Sequence, residues 1–222
     1  MPAEAYGGHV WLEKLTDDTN LWLKAIRMEE QGEIERAALL YLGDSASCLE
    51  TSTVVRAALG ATCAADCLVR LGLPERGRRL YHVAGMLYWD NSDARLGSSV
   101  RESLWSLQEA YRSFLLAGEE ENSKQVRRLF ASLASRANPF IGERDAFTLS
   151  PKADLATEVE RADGANHDGE ASTELTKAFE KLLLARERQR ERDSKAKAPA
   201  VQADGDEEVE MLDAQSFVGQ LG

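Results

Sequence analysis

The stretch ATCAADCLVRLGLPERGRRLYHVAGMLY, Ala61 to Tyr88, decides the fold. Ala65 and Leu68 fall on one helical stripe that runs back to Val55 and Leu59 and stops at Gly72. Pro74 suits the first turn of a new helix, where its missing N–H is not needed. Leu80, Tyr81, Val83, Ala84, Leu87 and Tyr88 then supply an apolar face. Two helices joined by a tight glycine turn form a helical hairpin, which Asp90-Asn91-Ser92-Asp93 is expected to end.

The same grammar extends to both sides. Upstream, Asp17, Asp18 and Thr19 are capping candidates for a helix carrying Leu21, Trp22, Ala25, Ile26 and Met28 as far as Gly32. A second helix begins at Glu33, places Ile34, Ala37, Ala38 and Tyr41 on one face, and is expected to break at Gly43-Asp44-Ser45. Thr51 or Ser52 is expected to cap the helix that follows. Downstream, Ser98 or Ser99 caps a helix with Leu104, Leu107, Tyr111, Phe114 and Leu115 that ends near Gly118. Asn122 or Ser123 opens one with Val126, Leu129, Phe130 and Leu133, which stops at Asn138-Pro139.

The hairpins share a register. Seven residues before the turn glycines stand Ala25, Ala65 and Tyr111, and four before stand Met28, Leu68 and Phe114. Five after the first two come Ala37 and Gly77, and nine after come Tyr41 and Tyr81. Small residues at a helix crossing let backbones approach, and an aromatic fills the groove against the next unit. This spacing resembles the tetratricopeptide repeat, best in the second unit through Ala65, Leu68, Gly77, Tyr81 and Ala84. The turn glycines lie 40 and then 46 residues apart, longer than the family's usual spacing of about 34. The longer helical pairs of vesicle-fusion adaptor proteins are an equal comparison. The resemblance implies an all-α fold over residues 1–140, a short α-solenoid of three antiparallel helical hairpins, working as a protein-binding scaffold.

All the tryptophans and tyrosines precede Gly118, so core-building material ends well before the chain does. Residues 141–171, rich in Asp, Glu, Gly, Thr and Ala, read as a flexible linker. Residues 172–197 read as an amphipathic and charged helix capped by Ser172 or Thr173, with Leu175, Phe179, Leu182 and Leu183 on one side and an arginine-rich second half. That helix either caps the repeat or binds a partner. Residues 198–222 read as a disordered acidic tail, whose stretch Asp204 to Glu210 could dock on a basic patch.

The net charge is -11, with the larger share of the deficit after residue 147. Phosphate-backbone binders present a positive footprint, so this balance argues against nucleic acid, leaving the arginine-rich helix as the alternative route to it. The opening residues lack a basic start and an apolar run, and no apolar stretch reaches membrane-spanning length. Three cysteines are too few for a disulfide framework, which predicts reduced thiols and a cytoplasmic setting.

Chemistry finds little support. Cys63 and Cys67 share a helix face at the spacing of two metal ligands, but neither Cys48 nor His82 completes a motif, so the reading is buried, inert thiols and no metal. His9, His82 and His167 lack a nucleophile motif, and no phosphate loop, GxGxxG or HExxH is present, so neither catalysis nor a cofactor is expected. The candidate partner-binding residues are the basic patch Arg70, Arg76, Arg78 and Arg79 and the apolar side chains Phe179, Leu182 and Leu183, facing another protein.

Overall fold

A computed structural model of the chain describes residues 20–137 and 172–197. Among them are seven α-helices and no strand: α1 Leu21–Glu30, α2 Ile34–Glu50, α3 Val54–Arg70, α4 Pro74–Arg95, α5 Val100–Leu116, α6 Glu120–Ala137 and α7 Thr173–Lys197. Each of α1 to α6 packs on the next in chain order, while α7 returns across the sequence to pack on α2. The expected linker, the acidic tail, His9, His167 and the stop at Asn138-Pro139 lie outside the described residues.

Four of the five connections among α1 to α6 are the same three-residue turn. The residue in the left-handed region is Gly32, Ser52, Gly72 or Gly118, with φ of 80, 60, 76 and 76°. The amide that follows it donates back to the helix it left: Glu33 to Met28 O at 2.8 Å, Thr53 to Cys48 O at 2.8 Å, Leu73 to Leu68 O at 2.9 Å, Glu119 to Phe114 O at 2.9 Å. These bonds satisfy carbonyls that a helix C-terminus would otherwise leave unpaired. Three of the turns use glycine, which reaches positive φ without a Cβ clash. Ser52 holds the same geometry without that relief, so the α2–α3 connection is closed like the others although no glycine marks it.

Small residues set how close the helices come. Ala25, Ala37, Ala57, Ala61, Ala64 and Ala65 are fully buried. A Cβ built on Gly77 would lie 2.7 Å from Val69 Cγ2 and 3.2 Å from the Ala65 carbonyl oxygen, so α4 crosses α3 at backbone distance. Tyr41 and Tyr81 fill the grooves, buried to their hydroxyls; Tyr41 Oη donates to Glu29 Oε2 at 3.0 Å and Tyr81 Oη to Asp66 Oδ1. Edge-to-face contacts join Trp22 to Tyr41, Tyr88 to Trp105 and Trp89 to Phe114, at centroid distances of 5.1, 5.7 and 6.0 Å.

The expected breaks are corrected at two places. Helix α2 runs through Gly43-Asp44-Ser45 to Glu50, and α4 runs through Asp90-Asn91-Ser92-Asp93 to Arg95. Polar residues that favour turns in isolation are here bonded to a neighbouring helix. Asp44 takes a two-pronged contact from Arg56, at 2.9 and 3.1 Å, and Ser45 Oγ donates to Ala57 O at 2.6 Å. Asn91 Nδ2 donates to Ser106 Oγ at 2.8 Å, and the Ser92 and Ser103 hydroxyls meet at 2.7 Å. All but Arg56 are buried, so each polar group recovers inside the protein the hydrogen bond it gave up in water.

Helix starts differ as well. Asn20 caps α1 by accepting from Leu23 N at 3.3 Å; the expected caps Asp17, Asp18 and Thr19 lie outside the described residues. Ser99 caps α5 as expected, accepting from Glu102 N at 3.3 Å. Neither Thr51 nor Ser52 caps α3, because both belong to the preceding turn. Helix α6 starts at Glu120, ahead of Asn122 and Ser123. Leu59 and Leu129, placed on apolar stripes by their spacing, are exposed.

Candidate functional site

Helix α7 is where the structure concentrates unassigned contact. Ser172 Oγ accepts from Leu175 N at 3.3 Å, which gives α7 a satisfied start. Its spacing then lines up one apolar edge: Leu182 is fully buried, Leu175 and Ala185 nearly so, and Phe179 and Leu183 are half-buried against the same core. Burying a leucine contributes about 1.5–3 kcal/mol, so Leu175 and Leu182 are the main apolar anchors. Leu184, one residue on from Leu183, faces solvent.

Polar contacts pin both ends. Arg76, in the first turn of α4, donates from Nη1 to Thr176 Oγ1 at 3.1 Å. Near the other end, the Arg192 guanidinium donates to Leu49 O at 2.6 Å and Glu50 O at 2.9 Å, at the negative end of the α2 dipole. Gln189, itself buried, braces that arginine at 2.7 Å and donates to Asp193 Oδ1 at 3.0 Å. These contacts fix the two ends of α7 to the start of α4 and the end of α2, while its length packs on α2.

Between the second half of α7 and α4 opens a cleft of about 900 Å³, lined by Val54, Leu87 and Ala94 together with charged groups from both helices. Asp90 and Asp93 of α4 meet Arg186, Arg190 and Asp193 of α7 there. Lost hydration raises the Asp90 pKa, Arg186 and Arg190 oppose that rise, and Asp93 and Asp193 add to it. Burial also lowers the Arg186 pKa, and its Nε is buried without a hydrogen-bond partner among the described residues. The two sides thus face one another across the cleft without closing into an ion pair.

The four arginines of the expected basic patch go to different places. Arg70 pairs with Glu29 of α1, Arg78 pairs with Glu75 one turn back at 2.6 Å, Arg76 reaches α7, and Arg79 is exposed. The structure therefore joins Arg76 with Leu182, Leu183 and Phe179 on one face and directs Arg70 and Arg78 to ion pairs of their own. Arg192, Gln189 and Asp90 are the residues that sequence reasoning passed over. Ordinary charged-helix spacing carries no sign that a distant helix end lies within reach.

The other chemical candidates are buried groups. Cys48, Cys63 and Cys67 are free, and burial is the main cause that pushes their thiols up, to about 11, 12 and 12. Among the described residues no group of three His, Cys, Asp or Glu could hold a metal ion. His82 Nδ1 lies 2.6 Å from Glu119 Oε1, and its ring packs on Phe114. No helix among the described residues is long and apolar enough to cross a membrane. No protein-family model matches the chain, and neither a curated protein nor a solved structure matches it.

Proposed function

We propose that this protein is a non-enzymatic adaptor or scaffold, a short tetratricopeptide-like solenoid of three helical hairpins that offers a helical-repeat surface to a peptide or helix of another protein. One observation carries the reading: the helical core accepts an amphipathic helix from far along the chain and buries its Leu182 completely. A surface with apolar sockets has the chemistry by which helix-in-groove modules hold their targets. Three cysteines, all free and too few for a disulfide framework, are in keeping with a reducing, cytoplasmic setting.

The nucleic-acid alternative needs the arginines of α7 turned outward. Arg192 is committed to the end of α2 and Arg186 to the cleft, which subtracts from the charge left for phosphates.

Affinity purification of the full-length chain followed by mass spectrometry tests the proposal. A defined protein partner is expected to be recovered above control. Recovery of no partner above control across several conditions would count against it.

A further inference from the structure

We draw no further inference here: the strongest candidate, the exposed apolar patch at Trp105 of α5, whose ring meets Tyr88 of α4 edge to face, carries nothing because nothing in the structure shows what covers it.

Discussion

Arg192 Nη2 lies 2.6 Å from the carbonyl oxygen of Leu49, a residue 143 positions earlier in the chain. The contact places a cation from α7 at the end of α2, where the helix dipole is negative and the Leu49 carbonyl already accepts from Ser52 N at 3.2 Å. Charge-assisted bonds of this kind contribute more than neutral ones, and exposure of the guanidinium reduces that to about 1 kcal/mol here. Arg192→Ala should therefore speed hydrogen exchange of the α7 amides several-fold, measured by mass spectrometry, while α3 and α4 keep their protection. Equal rates in the two proteins would show that the contact holds nothing in place.

Two glycines inside helices should respond in opposite directions to the same substitution. A Cβ on Gly43 meets only Leu21 Cδ1, at 3.5 Å, so Gly43→Ala gains helix propensity of about 0.5–1 kcal/mol. A Cβ on Gly85 falls 2.9 Å from Phe114 Cε1 and 3.0 Å from Cδ1, against a ring that is fully buried. Overpacking costs about 1–3 kcal/mol and outweighs propensity, so Gly85→Ala should be destabilising. Urea midpoints of the two variants, compared with wild type, decide the signs.

Ser52 holds a φ of 60° in a turn whose three counterparts are glycine. Ser52→Gly should raise stability by about 1 kcal/mol, because the left-handed strain on a side-chain-bearing residue exceeds glycine's entropic cost there. Gly72→Ala, at 76° with open space around the Cβ, should lower it by a similar amount. A calorimetric melting temperature that falls for Ser52→Gly would contradict this account of the turns.

The thiols predict an alkaline limit to stability. Burial raises Cys63 and Cys67 from 9.0 to about 12 and Cys48 from 9.0 to about 11. A raised thiol pKa means that the folded state holds its proton more tightly than the unfolded state does. The associated stability is complete below the unfolded value of 9.0 and is lost as pH rises from there toward the folded values. Stability measured by urea unfolding should decline above about pH 9, less steeply in Cys67→Ala. At pH 8 the native thiols should react with a disulfide reagent far more slowly than the urea-unfolded chain does.

The turn positions Gly32, Gly72 and Gly118 were legible because a left-handed residue after an amphipathic run leaves a local mark. So was the face carrying Leu175 and Leu182, since helical spacing alone brings them together. The continuation of α2 through Asp44 and Ser45 was not legible. Whether Asp44 ends a helix or stays within one depends on Arg56, which stands on the next helix and reaches it only once the two have packed. The same holds for Asn91 and Ser106. Of the candidate site, Arg76 and Leu182 were named from sequence, whereas their place on one face, with Arg192 at its far end, was not.

The inventory of helices, most of the turns between them and the amphipathic character of the segment after Ser172 were readable from the chain alone. Those properties depend on backbone sterics and on neighbours three or four residues apart, so they are written locally. Which face that last helix covers, and which charges it brings to Asp90, was decided by tertiary structure. A contact between Leu49 and Arg192 crosses most of the chain and repeats at no interval, and it exists because α7 packs on α2.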